Sequence, residues 1–286
     1  MPNFVVLLPP AETKQPGGNP FAPDMFDYRT SNTFNYFSDL NPRRRKLIDT
    51  LQGAMSEADD PGALFDDLEG FELEEAVRVN EEIYDAPLMS ALDRYSPGAL
   101  YSASDFADLP TGAQRRMLEN GVIFSGLFGL LRPDDLVPNY HLGMTAELPD
   151  VGEVGAYWQP HISPLLNKAL EGHFVWDFLP EHLRAIWDEE HTYEERARVL
   201  FVDEDESGTR SVPEEETLTL QGRFVNHIVR ETLEDLDDLK GEEREFVAGF
   251  YLDEEASEYD EDTKTHTLTM VRAPHVEKAA EEAREE

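Results

Sequence analysis

The run Phe-Val-Val-Leu-Leu at residues 4–8 contains no polar position. A strand of that composition has no face to offer to water, so it must lie buried, and Pro9 and Pro10 stop it at once. Covering such a strand needs a substantial apolar supply elsewhere in the chain. With 286 residues, 40% of them hydrophobic and 10% aromatic, the chain has that supply. The length fits one large or two small domains, and with no internal repeat or boundary signal the simplest reading is one α+β domain.

Further along, Pro42 after Asn41 marks a conventional helix start for PRRRKLIDTLQGAM. The acidic stretch 57–96 predicts helical pieces at LEEAVRVNEEI and APLMSALDRY. GALYSASDF predicts a short strand near Tyr101, TGAQRRMLEN a helix and VIF a strand. In YWQPHISPLLNKAL, Trp158, Ile162, Leu165, Leu166 and Ala169 recur at helical spacing despite Pro160 and Pro164. HFVWDF and ARVLFV read as strands flanking the short helix PEHLRAIW, and DEDESGTRSVPEEE as a turn-rich acidic loop. RFVNHIVRETLEDLDDL is the clearest amphipathic helix, and EFVAGFYLDE with THTLTMVRA predicts a closing hairpin. Residues 15–38 read as a long ordered loop, 1–275 as the domain and 276–286 as an acidic tail.

The formal charge is −37 and unevenly spread. Residues 1–50 hold six Lys and Arg against five Asp and Glu, whereas 51–100 hold two against thirteen. The basic cluster is Arg43, Arg44, Arg45 and Lys46. A field of this sign repels polyanions, so nonspecific nucleic-acid affinity is expected to be poor. Cysteine is absent, which excludes disulfides and thiolate chemistry. The opening lacks the basic and apolar regions of a signal peptide and no apolar run is long enough to span a bilayer, so a cytoplasmic chain without membrane partners is expected.

The segment FSGLFGLLRPDDLVPNYHLGM, residues 124–144, fits no standard phosphate loop or nucleophile elbow. Gly126 and Gly129 could let a turn present backbone amides to an anion, with Arg132 as a fork-shaped donor. Equally, the glycines could permit tight strand–helix packing while Arg132 caps or pairs with Asp134. Asp134, Asp135 and His141 lack the context of a metal site, and no metal ligands are assigned. Lys14, just after the first strand, is a second possible partner for an anion.

Several segments, in order along the chain, resemble the YaaA family of bacterial peroxide-stress proteins. FVVLLPPAETK, with Pro9, Pro10, Glu12 and Lys14, is similar to one branch's opening strand and loop. ALYSA around Tyr101 resembles a Tyr-Thr-Gly element. The central block resembles Ser-Gly-Leu-Tyr-Gly-x-Leu-Arg-Pro through Ser125, Gly126, Gly129, Arg132, Pro133, Asp135, Pro138, Tyr140 and Met144. YWQPHISPLLNKAL resembles the next helix through Trp158, Leu166, Asn167 and Leu170. The resemblance spans about residues 3–273.

Membership implies a cytoplasmic single domain of mixed α/β character with a cleft, and a part in the response to hydrogen peroxide by lowering unincorporated iron. One member is linked to DNA binding through a helix-hairpin-helix and a basic cleft. No catalytic reaction or cofactor is implied. His141, Gln221 and Asn226 stand where the family usually carries cations, and Pro180 and His182 where Ser and Glu are common, which weakens any transfer of DNA binding. The resulting expectation is a central mixed sheet with surrounding helices and a cleft at strand ends. That cleft, lined by Lys14, Tyr101, Ser125, Gly126, Gly129, Arg132 and Tyr140, would hold a small anionic ligand. The alternatives are a DNA-associated protective protein using Arg43–Lys46, or an enzyme acting on a nucleotide-like anion with Ser125 or Tyr101 beside Arg132.

Overall fold

The computed structural model describes residues 3–20, 36–58, 61–65, 68–205, 208–237, 239, 247 and 249–272. The tail at 276–286 and residues 21–35 of the expected loop lie outside them. In chain order the elements begin with β1 (Phe4–Leu8), α1 (Asn41–Glu57), α2 (Gly70–Glu81), β2 (Met89–Ser90), α3 (Ala91–Arg94), α4 (Ala99–Ser104) and α5 (Thr111–Asn120). The middle of the chain forms β3 (Gly121–Ser125), β4 (Gly129–Leu131), β5 (Leu136–Val137), β6 (Glu147–Leu148), β7 (Gly152–Glu153), α6 (Val154–Leu170), β8 (Phe174–Asp177) and α7 (Glu181–Arg184). The last third adds β9 (Glu195–Asp205), β10 (Gly208–Ser211), α8 (Glu214–Glu231), β11 (Tyr251–Asp260) and β12 (Thr265–Arg272).

The all-apolar β1 sits in the middle of an eight-stranded sheet ordered β11-β12-β9-β8-β1-β3-β4, with β10 paired to β9. Every residue of β1 is buried, as a strand without a polar face requires. It runs parallel to β3 on one side, with Leu7 opposite Val122, and parallel to β8 on the other, with Val6 opposite Trp176. Parallel pairing continues from β8 to β9 to β12, while β4 and β11 close the two ends antiparallel. The fold is thus mixed α/β, as its sequence predicts.

Chain direction fixes where a crevice can form. From β1 the chain passes to β3 on one side, then crosses over to β8 on the other. In open α/β sheets, ligands bind beyond the carboxyl ends of the strands where the order reverses in this way. Here that point lies just past Leu8 and Asp177, and the Phe178 amide donates to the Leu7 carbonyl at 3.1 Å.

Helices cover the sheet through specific close contacts. The Phe224 ring on α8 meets Trp176 at 5.6 Å and Phe178 at 6.3 Å, edge to face. Gly222 lets α8 lie against α4, because a Cβ there would come within 2.1 Å of the Leu100 carbonyl oxygen. Helix α6 runs through both Pro160 and Pro164, and its Trp158, Ile162, Leu166 and Leu170 are all fully buried.

Three expectations are corrected. The GALYSAS segment is helical, not a strand: Gly98 enters extended and the chain coils from Ala99, with none of these residues β-branched. The acidic stretch 203–216 read as a loop carries the end of β9, all of β10 and the start of α8, and Thr209 pairs Glu204 and Arg210 pairs Asp203. Asp203, Glu204 and Asp205 and the exposed Gly-Thr-Arg-Ser of β10 contain no apolar residue, which hides the strand character of this hairpin. The amphipathic helix begins earlier and ends sooner than its apolar stripe suggests, at Glu214 and Glu231. Three glutamates favour its N-terminus, and Thr232 terminates it in a left-handed conformation at φ 65°.

Candidate functional site

Beyond β1, the loop 9–18 is held by α3. The Gln15 amide donates to the Arg94 carbonyl at 2.7 Å. The Arg94 guanidinium, fully buried, donates back to Gln15 O, and to Gly17 O at 3.0 Å, Pro87 O at 3.0 Å and Val137 O at 3.3 Å. One arginine therefore ties this loop to the segments around β2 and β5. Among the described residues its partners are carbonyls, and burial pushes its pKa down to about 10. Sequence reasoning missed Arg94, because LDRY reads as an ordinary surface turn of helix.

The loop so fixed places Lys14 over aromatic rings. Its Nζ lies 4.6 Å from the centroid of Tyr140 and 5.8 Å from that of Tyr95, and donates to the Glu12 carbonyl at 3.2 Å. Burial lowers the Lys14 pKa to about 8; the Glu12 carboxylate opposes that shift and the Arg94 charge adds to it. Among the described residues, Lys14 forms no ion pair.

Beneath Lys14 runs a chain of hydroxyls. Tyr140 Oη lies 2.5 Å from Tyr95 Oη and 2.7 Å from Ser125 Oγ. Ser125, at the end of β3, also accepts from the Phe128 amide at 3.1 Å. Tyr101 Oη donates to the Pro9 carbonyl at 2.6 Å, and its ring lies 5.5 Å from Tyr95. Burial raises the pKa of Tyr95 and raises those of Tyr101 and Tyr140 well above the usual phenol value, so all three stay neutral at ordinary pH. The structure thus gathers Lys14, Tyr101, Ser125 and Tyr140, and adds Tyr95 and Arg94.

The two glycines of the block serve close packing. A Cβ on Gly126 would sit 2.1 Å from the Leu142 carbonyl oxygen, and one on Gly129 would sit 2.9 Å from the Trp158 ring. Gly129 also has a positive φ of 72°, and the Gly126 carbonyl accepts from Trp158 Nε1 at 2.7 Å. These contacts hold the β3–β4 turn rigidly against α6.

Arg132 has a different set of partners from Lys14. Its guanidinium donates to Glu119 O at 2.5 Å and Gly121 O at 3.1 Å and lies 5.3 Å from the Tyr36 ring. Its amide donates to the Asp135 carboxylate at 2.7 Å. Burial lifts the Asp135 pKa to about 6 against the pull of that amide and of Arg44. His141 is engaged through its backbone, exchanging hydrogen bonds of 2.7 and 2.8 Å with the Asn80 side chain. Asn226 is turned to structure as well, donating to the Ser104 carbonyl at 2.7 Å. Within the basic stretch, Arg44 is fully buried and donates to Phe128 O at 2.9 Å, Asn41 Oδ1 at 2.9 Å and Leu130 O at 2.6 Å. It braces the strand turn from within the protein.

On the other side of the switch point lies a second polar centre. The buried Asp177 carboxylate, at the end of β8, is 3.3 Å from Arg198 Nε, 3.7 Å from Arg184 and 3.8 Å from Arg196. Burial raises the Asp177 pKa despite those cations. Arg196, also buried, pairs with Glu189 at 2.7 Å and lies 5.3 Å from the Tyr193 ring.

The family model for peroxide stress protein YaaA matches residues 4–256. Among curated proteins, a UPF0246 protein of Streptomyces coelicolor is 31% identical over 153 residues, covering 54% of this chain and 58% of the relative. A UPF0246 protein of Corynebacterium glutamicum is 31% identical over 167 residues, covering 57% and 62%. One from Corynebacterium efficiens is 35% identical over 146 residues, covering 51% and 53%. The chain thus spans less than two thirds of the length of these relatives. Among the described residues, no helix is long and apolar enough to cross a membrane.

Proposed function

Because this chain belongs to the peroxide stress protein YaaA family, we propose that it acts in the cytoplasmic response to hydrogen peroxide, limiting free intracellular iron and so Fenton damage to DNA and protein. The working site is the crevice past β1, and its ligand is a small anion. The observation that carries this reading is the Lys14 ammonium, desolvated over Tyr140 without an ion-pair partner among the described residues. A half-buried charge over aromatic rings, left without an ion pair by the described residues, is costly, and a bound anion would offset that cost. Arg94, whose partners among the described residues are carbonyls, adds a second positive charge behind it. The buried hydroxyls of Ser125 and Tyr140 beneath Lys14 are polar without negative charge, since the phenols stay neutral.

Arg132 enters as a support in this reading. By binding the Glu119 and Gly121 carbonyls it joins the end of α5 to the segment after β4. The test is a deletion strain complemented with the wild-type chain, Lys14→Gln or Arg132→Lys. Peroxide survival and chelatable iron are measured in each. Wild type and Arg132→Lys are expected to restore both; Lys14→Gln is expected to restore neither although it folds. Full rescue by Lys14→Gln would remove the anion site from the function, and failure of the wild type would remove the stress assignment itself.

A further inference from the structure

A pocket of about 260 Å³ opens on one face of the sheet above β9, β12 and β11. Strand register builds it as two parallel rows. In one, Arg196 faces Thr265 and Thr265 faces Asp260; in the other, Arg198 faces Thr267 and Thr267 faces Glu258. Each row runs cation, hydroxyl, carboxylate across three strands. Its ends lie about 10 Å apart at the backbone, two strand spacings.

The rows differ in whether the protein itself satisfies them. In the first, Arg196 is bound by Glu189 at 2.7 Å and by Thr265 Oγ1 at 3.0 Å. Asp260 accepts from the Asp262 amide at 3.0 Å, the Thr263 amide at 3.4 Å and the Thr263 hydroxyl at 2.9 Å, within its own turn. In the second, Arg198 uses Nε alone, on Asp177 at 3.3 Å, which aims the guanidinium and leaves both terminal amino groups without a partner among the described residues. Neither the Thr267 hydroxyl nor the exposed Glu258 carboxylate has a side-chain partner there. A half-buried fork donor at one end and a free carboxylate at the other, with a hydroxyl between, complement a molecule bearing both charges.

We propose that this pocket is a binding site for a small zwitterion, whose carboxylate or phosphate meets the Arg198 fork and whose ammonium group meets Glu258. The site is independent of the crevice at Lys14. A simple anion fits less well, because Glu258 and Asp260 repel it from the rim; a simple cation leaves the fork unused. Arg196 and Glu189, paired with each other, line the pocket beside the Arg198 row, and Asp177 aims Arg198 from beneath.

The test is calorimetric titration of the purified protein with a panel of zwitterions, namely β-alanine, γ-aminobutyrate, ε-aminohexanoate and phosphoethanolamine. Each is compared with the analogue lacking the amine and the analogue lacking the acid. At least one zwitterion is expected to bind about tenfold or more tightly than both of its single-charge analogues. Glu258→Gln, on an exposed edge strand, should erase the advantage over the acid analogue and leave the melting temperature unchanged. Arg198→Gln should erase the advantage over the amine analogue. Absence of binding by the whole panel, equal binding by single-charge analogues, or an advantage that survives Glu258→Gln would overturn the proposal. Because Arg198 also pairs with buried Asp177, the Glu258 variant decides the matter if Arg198→Gln fails to fold.

Discussion

Two polar centres flank the central strand, and they balance charge in opposite ways. Around Lys14, two cations are met by carbonyls, aromatic faces and neutral hydroxyls; the Glu12 carboxylate acts on Lys14, but among the described residues neither cation forms an ion pair. Around Asp177, one buried carboxylate is met by three arginines, with Glu189 and Glu181 supplying further negative charge. The first centre is electrically incomplete and the second nearly self-sufficient. The difference teaches that burial of charge alone does not mark a functional site; what matters is whether the protein supplies the counter-charge.

The largest expected effect strikes the self-sufficient centre. Asp177→Ala strands three arginines beside a buried void and should cost about 3–5 kcal/mol of stability, read as a drop in the denaturant midpoint. A loss under 1 kcal/mol would mean that the arginines find water or other acids, and the contrast between the centres would fail. Next comes Gly126→Ala, whose Cβ would lie 2.1 Å from the Leu142 carbonyl oxygen. Overpacking against backbone should cost about 3 kcal/mol by chemical denaturation.

A smaller loss is expected at the hydroxyl chain. Tyr140→Phe removes contacts to Tyr95 and Ser125 and should cost about 1–2 kcal/mol, leaving both partners buried with an unfilled bond. Smallest in stability is Lys14→Met, which removes a desolvated charge and should leave the melting temperature unchanged or slightly raised. Its pH behaviour sharpens the comparison. The Lys14 pKa is depressed to about 8 from 10.5, so the charge burdens the fold below pH 8 and that burden disappears as pH rises toward 10.5. The wild type should gain stability relative to Lys14→Met across that window in parallel thermal melts.

The two centres also differ in how far the sequence reveals them. Ser125, Gly126, Gly129 and Tyr140 fall in one continuous block, and Lys14 follows a strand whose apolar run is unmistakable, so local patterns lead to both. Arg94 hides because its role depends on loop 15–17 and on Val137, distant in sequence and joined only in the fold. Asp177 and Arg198 meet through the parallel register of β8 and β9, which no local pattern encodes. Charged residues in HFVWDF and ARVLFV look like the solvated positions of ordinary strands. The same limit explains Arg44, one member of a basic run that reads as surface and is buried under β4.

The claim that Lys14 awaits an anion is tested most directly by titrating sulfate, whose charge stays constant, into wild-type protein and Lys14→Gln from pH 6 to pH 10. The wild type should bind below about pH 8 and lose affinity as pH rises through that value, while Lys14→Gln should bind weakly at every pH. Affinity that is equal in the two proteins, or that does not change across pH 8, would contradict it.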